Sequence, residues 1–210
     1  ELFIKKASFL ARLGSGSASR SIEGPVTFWG KNSSRKESSD LFATPFGQNL
    51  HNVFKDYQDT ILLVDKGSKP VSSTQGHQLM FDHPYATSRF IQAEQNLNTL
   101  ASIMETGDLD GFIKIVESEA LSLHAMMMTS NPYFILMQPQ TLEIIQKIWQ
   151  FRKETQIPIC FTLDAGANVH LLYPMNTKPK VHSFIDDVLA GFCQNRQYLT
   201  DSVGTGAKKM

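Results

Sequence analysis

Residues 159–173 have the sequence ICFTLDAGANVHLLY. Two short runs rich in apolar and β-branched residues, 159–163 and 169–173, are typical of strands. The five residues between them, DAGAN, are small or favour turns, so they suit a short connection. This stretch therefore predicts two neighbouring strands joined by a loop, which is the simplest beginning of an antiparallel sheet.

Helical patterns flank this predicted hairpin. Apolar residues recur at helical spacing in four segments, and Asp108 is placed to cap one of them after a turn at Gly107. The predicted helices cover residues 87–104, 108–126, 140–153 and 181–192. Short apolar runs at residues 26–29 and 61–64 predict two more strands. The mixture predicts an α+β fold in which helices pack on an antiparallel sheet.

The two ends of the chain depart from this regular pattern. Residues 3–11 show helical spacing without a capping residue before them, so we expect that further residues of the same protein precede Glu1. The segment after residue 192 is a polar tail that follows the last predicted helix.

Composition restricts the kinds of partner. The 210 residues include 20 basic and 20 acidic side chains, so the formal net charge is zero. Such a chain offers no broad attraction for nucleic acid or a membrane surface, and an anionic ligand has to bind at a local site. Hydrophobic residues make up 41% of the chain, which is enough for a folded core.

Cys160 and Cys193 have no CxxC spacing and lie in apolar surroundings, which predicts buried thiols in a reducing compartment, the cytoplasm.

The segment GSGSASR, residues 14–20, is the first candidate binding site. Its small residues let the backbone approach an anion closely, and Ser15 and Ser17 add hydroxyl donors. The planar guanidinium of Arg20 suits a carboxylate or a phosphate group. The same pattern is also typical of an ordinary Gly-Ser turn with an exposed arginine, and the residues alone leave both interpretations open.

Two further segments contain candidate functional side chains. Ser72, Ser73 and Thr74 could bind phosphate or cap a following helix. Asp164, at the end of the first hairpin strand, could accept a proton or orient a hydroxyl group, although Asp and Gly also favour a structural turn there. The histidines show no metal-ligand spacing, so no metal site is predicted, and His124 beside three methionines is expected to pack in the core.

Four segments together resemble the diphosphomevalonate decarboxylases of the GHMP kinase superfamily, in the same order and spacing. They are ARLGSGSASRS (11–21), VSSTQG (71–76), LSLHA with the later SNP (121–125 and 130–132), and FTLDAGAN (161–168). The resemblance covers essentially all 210 residues. The family often has Cys at the position of Ser19 and Pro at that of Ala167, but neither departure removes a charged functional group.

This resemblance implies a GHMP kinase-like two-domain fold with a truncated N-terminal domain. Residues 1–66 would be the remainder of that domain, which is similar to domain 2 of ribosomal protein S5. Residues 67–210 would form the C-terminal domain of helices on an antiparallel sheet, with the active site in the cleft between the domains. The Gly/Ser-rich ATP loop of the family would precede Glu1, so the ATP-binding residues are unknown and the chain alone is expected to be inactive.

The implied reaction is the decarboxylation of (R)-5-diphosphomevalonate to isopentenyl diphosphate in the mevalonate pathway, with ATP and Mg²⁺ as cofactors. The resemblance assigns catalytic roles to Asp164, which would orient or deprotonate the 3-hydroxyl, and to Arg20, which would hold the C1 carboxylate. The other substrate-binding residues that it implies are Ser15, Gly16, Ser17, Ser73 and Thr74 for the diphosphate, and Ala165 beside Asp164.

Two alternatives stay open. The first is a sibling activity, either 5-phosphomevalonate decarboxylase or mevalonate 3-kinase, and the second is a non-catalytic α+β binding domain. The expected partners are the small-molecule substrate and ATP, without nucleic acid or membrane, and the family resemblance implies a homodimer.

Overall fold

The computed structural model describes residues 2–32, 35–47, 49–67 and 78–208. Contacts between Cα atoms divide these residues into two compact units. The first unit comprises the described residues of Glu1–Asp56, Met104–Gly107 and Val203–Met210, and the second comprises those of Tyr57–Ile103 and Asp108–Ser202. Three separate parts of the sequence therefore contribute to the first unit.

The first unit begins with helix α1, Leu2–Gly14, which leads into a 3-10 turn over Gly16–Ser21. Two short strands, β1 (Thr27–Phe28) and β2 (Thr44–Pro45), pair antiparallel. A second 3-10 turn covers Asn52–Phe54. The helix predicted at the start of the chain is confirmed, and the strand predicted at residues 26–29 is confirmed as the short β1.

The second unit is built on a four-stranded antiparallel sheet in the order β4-β5-β3-β6. Its strands are β3 (Gln58–Leu62), β4 (Cys160–Leu163), β5 (Val169–Tyr173) and β6 (Tyr198–Ser202). Leu163 pairs with Val169 across the hairpin, and Thr60 of β3 pairs with Leu171 of β5 and Thr200 of β6. The predicted hairpin at residues 159–173 is thus confirmed and occupies one side of the sheet.

Four helices accompany this sheet. They are α2 (Ala86–Thr106, whose last residues belong to the first unit), α3 (Leu109–Met128), α4 (Pro139–Thr155) and α5 (Lys178–Asp187). The predicted cap of α3 is confirmed, because the side chain of Asp108 accepts a hydrogen bond from the backbone N–H of Gly111 at 3.0 Å. Helix α3 packs along β4, which brings its buried face to the hairpin.

One face of the sheet forms the core of the second unit. Alternate residues of β5, Val169, Leu171 and Tyr173, are buried because successive side chains of a strand point to opposite faces. They join a cluster with apolar side chains of α4, α5 and the turn after α5, including Ile144, Ile148, Val181, Ile185 and Leu189. Burial of apolar surface stabilises a fold by about 25 cal/mol per Å². This cluster therefore fixes the hairpin against the helices.

Several local predictions need correction. The polar tail after residue 192 contains a strand, β6, which its sequence did not predict. The last predicted helix ends at Asp187, and Leu189–Phe192 form a 3-10 turn. The strand expected at residues 61–64 lies at Gln58–Leu62, because its pairing with β5 begins at Gln58.

Two further expectations concern the whole chain. Cys160 and Cys193 are free, buried thiols, as predicted, and burial raises the pKa of Cys193 to about 11. Within the residues that the structure describes, no helix has the length and apolar character that crossing a membrane requires.

The division into domains at residue 66 stays a prediction. The compact second unit begins at Tyr57, because β3 pairs with β5 and β6.

Candidate active site

Asp164 directly follows β4, at the start of the loop that leads to β5. Asp164 is exposed, whereas Ala165 and Gly166 are half-buried and Ala167 is buried. The N–H of Gly166 donates to the carbonyl oxygen of Asp164 at 2.8 Å, which closes a tight turn. The turn presents the carboxylate at the end of a strand that is itself fixed in the core.

His124 of α3 forms a hydrogen bond with the backbone of this loop. The residue is 1% exposed, and its Nε2 lies 3.2 Å from the carbonyl oxygen of Asp164. Because a carbonyl oxygen only accepts, Nε2 has to carry the proton and donate it. Burial lowers the pKa of His124, and the carbonyl and the charge of Asp164 oppose that shift only in part. The ring is therefore a neutral donor at physiological pH.

Two more hydrogen bonds fix the far end of the loop. The hydroxyl of Thr141, a fully buried residue of α4, donates to the carbonyl oxygen of Ala167 at 2.7 Å. The side-chain oxygen of Asn168 accepts from the N–H of Asp65 at 3.0 Å. The backbone around Asp164 is thus held at three points, while the residue itself is exposed. A carboxylate held in this way can orient a hydroxyl group or accept its proton.

A second histidine lies on β5, beyond the loop. Nδ1 of His170 is 2.8 Å from Oδ2 of Asp59 on β3. This hydrogen bond raises the pKa of His170, burial opposes the shift, and the charges of Asp59 and Asp164 add to it. His170 therefore becomes cationic at a higher pH than an ordinary histidine.

The segment of Ser15 to Arg20 is anchored through its buried side. The hydroxyl of Ser8, on α1, donates to the carbonyl oxygen of Ser19 at 2.8 Å and accepts from the N–H of Ala43 at 2.9 Å. The hydroxyl of Ser19 in turn donates to the carbonyl oxygen of Gly16 at 2.8 Å. A Cβ atom on Gly16 would lie 3.0 Å from the ring of Trp29, so glycine allows the turn to pack closely there.

The other side of this turn is open. Ser15, Ser17 and Arg20 are exposed, and the hydroxyl oxygens of the two serines are 3.5 Å apart. Among the described residues, the guanidinium of Arg20 has no hydrogen bond or ion pair, although its carbonyl oxygen accepts from the hydroxyl of Thr27 at 3.3 Å. Two hydroxyls and one cation on a single turn form a set of donors that suits an anionic group.

The structure distributes the predicted site residues over both units. Ser15, Gly16, Ser17 and Arg20 share one turn of the first unit, and Asp164 and Ala165 share one loop of the second. Ser73 and Thr74 lie outside the described residues. Among the described residues, no group of three or more His, Cys, Asp or Glu side chains could hold a metal ion. We therefore assign none of the described residues to magnesium.

His124 and Thr141 are the residues that the sequence analysis missed. His124 was expected to pack as core filler, and it is buried, but it also binds the backbone of the candidate catalytic loop. The available signal was its position on a helix face with the buried residues Ala120 and Met127, at spacings of four and three residues. A polar side chain on such a face has to find a hydrogen-bond partner, and that partner was not identified from the sequence.

Comparison with known proteins decides the family. A family model described as the C-terminal domain of mevalonate 5-diphosphate decarboxylase matches residues 60–209. The chain belongs to the mevalonate 5-diphosphate decarboxylase family. The resemblance noted in the sequence is therefore confirmed, as is the α+β fold of helices on an antiparallel sheet.

Individual members of the decarboxylase family are distant relatives. The chain is 29% identical to the diphosphomevalonate decarboxylase of Saccharomyces cerevisiae, over 85% of the chain and 45% of the yeast protein. It is 24% identical to the phosphomevalonate decarboxylase of Haloferax volcanii, over 79% of the chain and 48% of that protein. The chain thus spans about half the length of these curated relatives.

A solved decarboxylase structure has a similar fold. It is described as MDDEF in complex with MVAPP, AMPPCP and magnesium, and it matches with a TM-score of 0.82 and 28% sequence identity. The match covers 97% of this chain and 59% of that one.

Proposed function

We propose that the protein containing this chain catalyses the ATP-dependent decarboxylation of (R)-5-diphosphomevalonate to isopentenyl diphosphate. Membership of the decarboxylase family supports the reaction class. The solved relative in complex with MVAPP, AMPPCP and magnesium supports diphosphomevalonate and ATP as substrates, with Mg²⁺ as the accompanying ion. Further proposals are a homodimer, a cytoplasmic location, and a division into an N-terminal part (1–66) and a C-terminal domain (67–210).

The observation that carries this proposal is the Asp164 loop. Its carboxylate is exposed while buried His124 and Thr141 fix its backbone. The reaction begins with a tertiary hydroxyl, which is a weak nucleophile. Placement of that hydroxyl in line with the γ-phosphate therefore matters as much as removal of its proton. We assign this placement to Asp164.

The reaction balances with ATP as the phosphoryl donor. The 3-hydroxyl oxygen bonds to the γ-phosphorus as the bond to ADP breaks, and Asp164 orients or accepts the hydroxyl proton. The 3-phosphate then leaves as inorganic phosphate, and the C1–C2 bond breaks to release CO₂ while its electrons form the C2–C3 double bond. Positive charge develops at C3 as phosphate leaves, and a nearby carboxylate stabilises it.

The Ser15–Arg20 turn would bind the anionic ends of the substrate. We assign the C1 carboxylate to Arg20, because its guanidinium is exposed and offers a two-pronged donor. We assign the 5-diphosphate to Ser15, Gly16 and Ser17, together with Ser73 and Thr74. Ala165 would contact the substrate beside Asp164. Because the chain has no net charge, its attraction for a polyanionic substrate has to come from local donors such as these.

A second candidate is the decarboxylation of 5-phosphomevalonate. The relative from Haloferax volcanii, which is named phosphomevalonate decarboxylase, favours this alternative. Mevalonate 3-kinase is less well supported, because Arg20 and Asp164 are both present and a simple 3-kinase has no need to break the C1–C2 bond.

Comparison of the two substrates tests the proposal. The purified protein that contains this chain would be incubated with ATP, Mg²⁺ and either (R)-5-diphosphomevalonate or (R)-5-phosphomevalonate, and CO₂ and ADP would be measured. We expect both products with the diphosphate and a much lower kcat/KM with the monophosphate. The reverse preference would support the second candidate, ADP without CO₂ would indicate a 3-kinase, and no ADP with either substrate would support a non-catalytic domain.

A further inference from the structure

The segment that follows β6 pairs with the segment that follows the Arg20 turn. Gly206 forms an antiparallel bridge with Glu23, and the N–H of Ala207 donates to the carbonyl oxygen of Ile22 at 3.1 Å. Residues 203–207, named here the tail segment, belong to the first unit together with the turn. Nothing in the sequence predicted this pairing, because the two segments are about as far apart as the chain allows.

Two glycines make the pairing unusually close. A Cβ atom on Gly24 would lie 2.7 Å from the backbone nitrogen of Gly206 and 2.8 Å from the carbonyl carbon of Thr205. A Cβ atom on Gly206 would lie 2.8 Å from the carbonyl carbon of Glu23, and the φ of Gly206 is +77°. The atoms in contact are backbone atoms, which cannot rotate away as a side chain can. Each position therefore requires glycine for space, and Gly206 also requires it for its conformation.

This contact lies directly after the Arg20 turn, so the backbone on both sides of Arg20 is held. Immediately before Arg20, the backbone is fixed by the buried hydrogen bond from the hydroxyl of Ser8 to the carbonyl oxygen of Ser19. The 3-10 turn ends at Ser21, and the tail segment binds the residues immediately after it. Among the described residues the side chain of Arg20 has no hydrogen bond or ion pair, so the backbone contacts around it set the point from which the guanidinium reaches a ligand.

We propose that the tail segment is a positioning element that sets the backbone after the Arg20 turn, and through it the direction of the Arg20 guanidinium toward the substrate carboxylate. This inference rests on the proposed function, since it needs Arg20 to bind the substrate. Gly24 and Gly206 are positioning residues in this scheme, because they act through Arg20 and do not touch the substrate.

Three glycine variants test the proposal in the protein that contains this chain. Gly206→Ala and Gly24→Ala force the two backbones apart, whereas Gly204→Ala is the matched control, because a Cβ atom there meets nothing within 4 Å. A displaced positioning group costs about tenfold to 10²-fold in kcat/KM. In Gly206→Ala and Gly24→Ala we expect this loss to appear as a raised KM for 5-diphosphomevalonate, with the KM for ATP unchanged. Gly204→Ala should have the kinetic constants of the wild type.

The split between KM and kcat separates positioning from general damage. A variant that merely folds less well lowers the measured kcat and leaves both KM values unchanged, and this result in both test variants would overturn the proposal. An equal loss in Gly204→Ala would overturn it too.

Amide exchange of the wild-type protein provides a test that does not depend on how the variants fold. Because coupling between two sites is reciprocal, substrate bound at Arg20 has to stabilise the tail segment. We expect 5-diphosphomevalonate without ATP to slow exchange in residues 203–207, whereas ATP alone does not. If the wild type turns over substrate and these amides show no change, the inference fails while the proposed function stands. If the wild type has no turnover and binds no substrate, the proposed function fails and the inference fails with it.

Discussion

The imidazole of His124 and the backbone of Asp164 are joined by a hydrogen bond of 3.2 Å between Nε2 and the carbonyl oxygen. The donor is on α3 and the acceptor is 40 residues later, in the loop after β4. The bond therefore fixes the backbone of an exposed residue against the buried face of α3. The backbone of the candidate catalytic residue is thus held while the residue itself stays exposed.

Asp164→Asn should abolish most turnover without preventing substrate binding. Asparagine has a similar size but cannot accept the hydroxyl proton or stabilise positive charge. We expect kcat to fall by at least about 10²-fold, which is the usual effect of removing a positioned acid-base group. Steady-state kinetics in the protein that contains this chain, with substrate affinity from calorimetry, would measure both effects. Near-normal kcat would exclude the role assigned to Asp164.

Arg20→Lys should behave as a disruptive substitution. Lysine keeps the positive charge but replaces a planar fork by a single ammonium group, which cannot bind a carboxylate through two parallel hydrogen bonds. We expect kcat/KM to fall by about tenfold or more, equivalent to ~1.4 kcal/mol. The melting temperature should change little because Arg20 is exposed. Wild-type kinetics, or a large drop in melting temperature, would contradict this role.

The two substitutions His124→Met and His124→Gln should have different effects. Methionine fills the space but removes the donor to the Asp164 carbonyl, which also accepts from the N–H of Gly166. We expect His124→Met to lower the unfolding free energy by about 0.5–1.5 kcal/mol. It should also lower kcat, because the loop shifts. Glutamine can place an amide N–H near the same point, so it should recover part of the kcat. If the two variants have the same kcat, the hydrogen bond does not position Asp164.

His170 should make stability depend on pH in one direction. Its pKa is raised in the folded protein, mainly by the hydrogen bond to Asp59, so the folded state binds this proton more tightly than the unfolded state. The resulting stabilisation is complete below the ordinary histidine pKa, about 6.5, and is lost as the pH rises through the raised value.

We therefore expect His170→Gln to destabilise the protein more at pH about 5.5 than at pH about 8.5. Urea unfolding of both proteins at the two pH values would measure the difference. Asp59→Asn should remove the same pH-dependent part. An identical effect of His170→Gln at both pH values would refute the link to Asp59.

Breaking the ion pair of Glu117 and Arg152 should be costly. Oε1 of Glu117 is 2.6 Å from Nη1 of Arg152, the Glu117 side chain is only 10% exposed, and Trp149 donates to its other oxygen at 2.8 Å. Glu117→Leu leaves the guanidinium without its carboxylate in a partly buried place. We expect a loss of about 3 kcal/mol in unfolding free energy. The control Glu154→Gln, on the exposed side of α4, should change it by less than about 0.5 kcal/mol. If the two variants lower the unfolding free energy equally in urea, the ion pair does not stabilise the fold more than an exposed glutamate does.

Local patterns in the sequence were sufficient for the main helices, for the hairpin and for the candidate catalytic loop. Apolar residues form a short continuous run in β4 and alternate with other residues in β5. In the helices, apolar residues recur at helical spacing. Such patterns reflect burial of one face, which each segment shows by itself. The motif of residues 161–168 likewise identified Asp164, because a lone carboxylate among small residues at a strand end is visible without neighbours.

Strand β6 shows where a local pattern is insufficient. Its residues after Tyr198 are exposed, and among the described residues β6 pairs with β3 alone, at the edge of the sheet. Without a buried face, Tyr198–Ser202 shows no alternation of apolar and polar residues, and the sequence reads as a polar tail. The backbone hydrogen bonds to β3 determine this strand, and they become available only once β3 lies in the sheet.

The sequence by itself therefore determined the family, the α+β class, the main helices, the hairpin and the identity of Asp164 and Arg20 as candidates. Only the tertiary structure decided how those candidates are held: by His124 and Thr141 beneath the Asp164 loop, and by the tail segment beyond the Arg20 turn. The physical reason is the range of the interactions. Helix and strand patterns arise between residues a few positions apart, whereas these supports join residues that become neighbours only when the whole core packs.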